Sequence, residues 1–199
     1  MTLDQFRPVA NRLLAPWVRA AKAVGATPNA VSVVAFGLAV GAGVAFYVAT
    51  PLAYAAGALL VFLNGWLDLL DGALARELGT DSAAGDMLDH VLDRYADVVV
   101  VSGLAAGLGQ FALGLAAVTG VLLTSYLGTQ AEAVGLNRVY GGLLGRADRL
   151  ALVGATTAVT ALVPTVAGYS PVTALLVLFA VVGHLTAVQR FVSAWRQLA

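Results

Sequence analysis

Residues 52–75 read LAYAAGALLVFLNGWLDLLDGALA. From Leu52 to Leu67 no side chain is charged, and then two aspartates, Asp68 and Asp71, arrive three residues apart. A helix rising about 1.5 Å per residue needs about 20 residues to cross a hydrocarbon core of roughly 30 Å, so this stretch is long enough to span a bilayer with its acids gathered at one end. An ionisable group at such a depth costs about 2.5–3.5 kcal/mol on insertion scales, and it persists where it pairs, lines a wet cavity or binds something.

Five further stretches have the same character, at 30–49, 84–108, 111–134, 147–168 and 170–193. The whole chain agrees: of 199 residues 60% are hydrophobic and only 11% charged, with a mean hydropathy of +0.87. A water-facing domain carries about 25% charged residues, so this chain lacks the charge to clothe one. The expected fold is all-α, a polytopic integral membrane protein with six transmembrane helices and an N-terminal interfacial amphipathic segment. We expect a single membrane domain over 1–199, with the amphipathic segment at 1–26 and the six-helix core at 27–199. In that segment Leu3, Phe6, Ala10, Leu13, Leu14 and Trp17 recur at helical spacing between Arg12, Arg19 and Lys22. The pattern suits the surface of an anionic bilayer, and Pro8 and Pro16 are expected to break the segment into short pieces.

Eleven basic residues balance eleven acidic ones, which argues against nucleic-acid binding, and with no cysteine there are neither disulfides nor thiolate chemistry. The balance hides a polarity. The connectors at Thr50-Pro51, at 108–110 and at 165–171 carry no charge, whereas every basic residue falls near the N-terminal segment, the second-to-third turn, the fourth-to-fifth loop or the C-terminus. By the positive-inside rule those elements, and both termini, face the cytoplasm of a cell membrane. Glycines four apart, Gly37/Gly41 and Gly103/Gly107, are expected to let helices pack closely.

Eight of the eleven acids lie between 68 and 97. Asp68 and Asp71 share one helix face near the end of the second span, and Asp89 and Asp93, four apart, share another near the start of the third. The short connector from Arg76 to Ala83 makes the two helices antiparallel neighbours on this reading, so four carboxylates converge at one depth. Their repulsion is relieved by a hard divalent cation held on oxygen ligands, Mg²⁺, Mn²⁺ or Ca²⁺. Asp81, Asp86 and Asp97 have simpler roles in a turn, in a first helical turn and beside Arg94; Asp4 and Asp148 are expected at the interface. His90 is read as packing, and His184 as a hydrogen-bonding group between helices.

Residues 68–93, DLLDGALARELGTDSAAGDMLDHVLD, fit D-x2-D-G-x2-A-R-x8-G-x3-D-x3-D at every fixed position. This resembles the signature of the CDP-alcohol phosphotransferases, and the tripeptide Thr27-Pro28-Asn29 before the first span is similar to a family element; the resemblance covers most of the chain. It implies transfer of a phosphatidyl-type group from a CDP-linked lipid to the hydroxyl of a small polar acceptor, with release of CMP. It implies metal ligation by Asp68, Asp71, Asp89 and Asp93, with Mg²⁺ or Mn²⁺ as two ions, Asp93 serving also as catalytic base. It places Asp68, Gly72, Ala75, Arg76 and Gly85 at the CDP group, and it implies a homodimer.

Arg146 and Arg149, three apart at the start of the fifth span, are positioned to clamp a second phosphate, which points to a phosphorylated polyol as acceptor. Within Ser125–Glu132, where inositol-phosphate-using members of the resembled family carry further basic residues, this chain has Gly128 and Gln130. That departure counts against inositol phosphate, while the two arginines resemble that branch; glycerol phosphate competes, and serine or a neutral polyol stays open. Two other classes fit the pattern less well. A Mg-dependent intramembrane prenyltransferase leaves Gly72, Ala75, Arg76 and Gly85 unexplained, and a cation or proton transporter requires charges that continue across the bilayer.

Overall fold

The computed structural model describes residues 7–136 and 143–199, with side chains from Leu13 onward. Asp4, Leu3, Phe6 and Arg138 lie outside the described residues, as do the side chains of Arg7, Ala10 and Arg12. The described residues form seven α-helices: α1 (Arg7–Ala23), α2 (Pro28–Val48), α3 (Pro51–Leu78), α4 (Ala83–Gly107), α5 (Phe111–Ala133), α6 (Arg146–Leu162) and α7 (Pro171–Leu198). Three of them start with one device, a hydroxyl residue followed by proline. Thr27, Thr50 and Ser170 accept hydrogen bonds from the backbone N–H groups of Ala30, Ala53 and Val172 at 3.2–3.3 Å, and Pro28, Pro51 and Pro171 occupy the first turn, where a missing N–H costs nothing.

Four of these helices, α2, α3, α5 and α7, are long and apolar enough to cross a membrane. Helix α4 carries Asp86, Asp89, Asp93, Arg94 and Asp97, and α6, with 17 residues, reaches about 26 Å. Helix α6 is shorter than the 147–168 stretch because Pro164 forces the preceding Val163 out of helical geometry, to φ −130° and ψ 87°. A turn closed by Val166 and Tyr169 then leads to α7.

Around the bundle, α2 packs on α3 and α4, α4 on α5, α5 on α7, α7 on α6, and α6 returns to α3. Contrary to the sequence expectation, α3 and α4 are not packed neighbours among the described residues; α2 packs against both. A four-residue connector ties only their ends. The carboxylates on α3 and α4 therefore face each other across a cleft rather than across a packed helix pair. The close packing expected of the glycines holds for Gly103 and Gly107, which lie against the α2 backbone at Gly43 and Phe46, whose carbonyl oxygens an added Cβ would strike; it does not hold for Gly37, which faces open space. Gly103→Ala is expected to lower the unfolding temperature of the detergent-solubilised protein sharply, since overpacking against rigid backbone costs about 1–3 kcal/mol or more; Gly37→Ala, with nothing within 4 Å, should leave it unchanged.

Helix α1 runs unbroken through Pro16. Tertiary packing overrides the lost hydrogen bond: Leu14 and Val18 are buried with Val31, Leu70 and Leu74, and Trp17 meets Trp66 edge to face at 6.4 Å. Lys22 pairs with Glu77 at 3.4 Å, so α1 is held against α3 beside the acidic end. Elsewhere a cross-helix hydrogen bond joins Thr119 and His184 at 3.4 Å, as expected of His184.

Candidate active site

Asp68 lies on α3, and Asp89 and Asp93 one turn apart on α4. One oxygen from each lies within 4.8 Å of the others. That separation and an all-oxygen donor set fit a hard divalent cation, whose oxygen ligands sit at about 2.0–2.6 Å. Asp71 is not in this group of three. It borders the same cleft, together with Ser32, Asn64 and Ala96, but it is buried against α2, where the Ser32 hydroxyl donates to its Oδ2 at 2.6 Å. The Ser32 hydroxyl also approaches the Pro28 carbonyl at 3.2 Å. Sequence reasoning missed Ser32, because a serine 39 positions from its partner leaves no periodic signal.

Asn64, one turn before Asp68, is buried and donates to the Ala35 carbonyl of α2 at 2.9 Å. This bond fixes the rotation of α3 against α2, and with it the direction of Asp68 and Asp71. Gly72 is not required by packing: the nearest atom to an added Cβ is Nη1 of the exposed Arg76, at 3.4 Å. Gly85 lies by Ser82 Oγ and Asn29 Oδ1, at 3.2 and 3.4 Å from such a Cβ, so the Thr27-Pro28-Asn29 element meets the second half of the motif here. Ala75 is half-buried on α3.

Basic groups enter the cleft from α6. The guanidinium of Arg146 bridges the two halves of the acidic cluster, with Nη1 at 2.6 Å from Asp68 Oδ2 and Nη2 paired with Asp93 Oδ1. Arg149, one turn deeper, does not reach that cluster; its Nη2 lies 3.1 Å from Asp97 Oδ2 and 3.5 Å from Ser125 Oγ. Arg94 stands 3.4 Å from the same Asp97 oxygen, the pairing expected of it, and 3.6 Å from Asp93 Oδ2. Arg146 and Arg149 both line a cavity with Asn64, Asp97, Val121 and Phe179, and the Nε–H of each is buried without a protein partner among the described residues. Asp148, expected to sit at the interface, accepts the Gly145 N–H at 2.9 Å and so closes the first turn of α6, which sets the direction from which both arginines leave the backbone.

A family model described as CDP-alcohol phosphatidyltransferase matches residues 25–195. The chain belongs to the CDP-alcohol phosphatidyltransferase family. Among curated members it is 30% identical over 201 residues to an archaetidylinositol phosphate synthase of Methanothermobacter thermautotrophicus, covering 98% of this chain and 95% of that one. It is 33% identical over 160 residues to a phosphatidylinositol phosphate synthase of Mycobacteroides abscessus, covering 77% and 70%. A crystal structure of the Mycobacterium tuberculosis phosphatidylinositol phosphate synthase with CDP-DAG bound superposes with a TM-score of 0.77 at 30% identity, over 92% of this chain and 94% of that one. The same enzyme in complex with manganese and citrate gives 0.79 at 30% identity, over 92% and 88%.

As a CDP-alcohol phosphatidyltransferase the protein is an integral membrane enzyme of phospholipid synthesis. It is a metal-dependent transferase, using Mg²⁺ or Mn²⁺, that moves a substituted phosphate group from a CDP-linked lipid to the hydroxyl of a small polar acceptor and releases CMP. The prenyltransferase and transporter alternatives fall with that membership.

Proposed function

We propose that the protein transfers a phosphatidyl-type group onto an inositol phosphate. The observation that carries this reading is the guanidinium of Arg146 joined to both Asp68 and Asp93, which sets a phosphate-binding fork against the cluster that would hold the cations. The similar synthases, named for archaetidylinositol phosphate and phosphatidylinositol phosphate as products, support it. On this reading Asp68, Asp71, Asp89 and Asp93 hold two divalent ions. Bound there, the ions would neutralise the pyrophosphate and favour departure of CMP. Asp68, Gly72, Ala75, Arg76 and Gly85 bind the CDP portion, with Arg76 as a permanently charged phosphate partner. Asp93 takes the proton of the acceptor hydroxyl, and Arg146 and Arg149 receive the acceptor's own phosphate.

All six helices α2–α7 cross the bilayer in this proposal, α4 and α6 with their charged ends at the cytoplasmic face. Both termini and the site open to the cytoplasm, 1–199 forms one membrane domain, and the enzyme works as a homodimer. Glycerol phosphate is the competing acceptor, favoured by the uncharged Gly128 and Gln130. The deciding experiment incubates purified enzyme with CDP-diacylglycerol or CDP-archaeol, Mn²⁺ or Mg²⁺, and inositol phosphate, glycerol phosphate, inositol or serine, following CMP. Release of CMP with inositol phosphate and only background release with glycerol phosphate is the expected result. The reverse preference would overturn the acceptor assignment.

A further inference from the structure

The arginines and aspartates of α6 and α4 form two rungs. Arg146 meets Asp93 on the first; one turn further, Arg149 meets Asp97 on the second. The spacings match, three residues on α6 and four on α4, so both rungs lie on one face of each helix. Their surroundings differ. Asp93 belongs to the acidic cluster, whereas Asp97 and Arg149 are 8% and 5% exposed and Asp97 is outside that cluster. Asp97 Oδ2 accepts a hydrogen bond from Arg149 on α6 and is ion-paired with Arg94 on its own helix, and Arg94 in turn faces Asp93 Oδ2. Asp93 thus has Arg146 at one oxygen and Arg94 at the other. A buried ion pair adds little net stability, but it fixes geometry, because breaking it strands a charge in a poorly solvated interior.

We propose that Asp97 is a positioning residue for the acceptor step: it sets Arg149 in the acceptor cavity and Arg94 against Asp93, without touching metal or nucleotide. This rests on the acceptor site proposed above. Helices α4 and α6 do not pack directly among the described residues, so the two rungs are their crosslinks across the cleft, and Asp97 holds the deeper one. Loss of its charge releases Arg149 to swing within the cavity and removes the anchor that keeps Arg94 from closing further on Asp93. Donor binding, which uses α3 and the start of α4, is untouched.

The test uses full-length enzyme in lipid nanodiscs and whichever alcohol the wild type accepts best, so a wrong choice of acceptor is read from the wild type and kept apart from the variants. Asp97→Asn is expected to raise the acceptor KM about tenfold or more while the CDP-lipid KM stays within about twofold, a tenfold change being one decade in binding constant. Arg149→Lys, which keeps the charge and loses the fork, should show the same split more weakly. The double variant Asp97→Asn/Arg149→Gln should be no worse than Asp97→Asn alone, as expected of residues acting as one unit. Equal changes in both KM values, no change in either, or additive losses in the double variant would each overturn the proposal. Should Asp97→Asn fail to fold, Arg149→Lys decides on the same KM split.

Discussion

Asp93→Asn is expected to reduce turnover by at least about 10³-fold while CDP-lipid binding stays near the wild-type level. The loss combines two roles. A positioned general base contributes about 10²–10⁴-fold, and the amide that replaces it cannot take a proton. The same substitution takes one of the three oxygens that lie within 4.8 Å of one another out of the charged set, weakening the hold on a cation. The donor's nucleotide portion is assigned to α3 and Gly85, so its affinity for the variant should stay high when measured with CDP or a non-hydrolysable CDP-lipid. The two roles separate in a Mn²⁺ titration. If saturating Mn²⁺ restores near-normal kcat, Asp93 is a ligand alone and the base lies elsewhere; a kcat that stays depressed at saturation supports the double assignment.

Much of this site was legible because its essential spacing is local. Asp68 and Asp71, then Asp89 and Asp93, lie within single helices, where three- and four-residue intervals fix a shared face whatever the tertiary structure does. The helices themselves were legible for the same reason, since hydropathy is a property of each stretch, and Pro28, Pro51 and Pro171 mark their starts. What escaped depends on packing between distant stretches. A four-residue connector constrains the ends of α3 and α4 and says nothing of their flanks, so the insertion of α2 against both, and the cleft that results, was invisible. Asp71 was grouped with the other acids by spacing, yet its hydroxyl partner comes from α2. Arg146 and Arg149 pair by their spacing, but the different depths of Asp93 and Asp97 on α4 decide that they meet different partners. Pro16 was read by its local effect, which the burial of Leu14 and Val18 outweighs.

Arg146→Ala should move two constants in opposite directions. On the acceptor side it removes a charge-assisted, two-pronged contact to phosphate, the kind of bond worth about 1.5–3 kcal/mol, so the acceptor KM is expected to rise about 10- to 200-fold. On the metal side the effect has the other sign. Arg146 pairs with the same Asp68 and Asp93 that would hold the cation, at 2.6 Å in the first case, and so competes for their charge. Without it, Asp68, Asp89 and Asp93 face one another with less compensation, their repulsion is relieved by the divalent ion alone, and the apparent Kd for Mn²⁺ should fall several-fold. Arg146→Lys, which restores a cation but not the fork, should return the metal affinity toward that of the wild type while leaving the acceptor KM raised. Isothermal titration with Mn²⁺, together with acceptor and donor KM values, reads all three quantities. A merely topological arginine, kept at the cytoplasmic end by the positive-inside rule, would change none of them selectively. Equal increases in donor and acceptor KM with weaker Mn²⁺ binding would mean that Arg146 holds the bundle together rather than reading the acceptor.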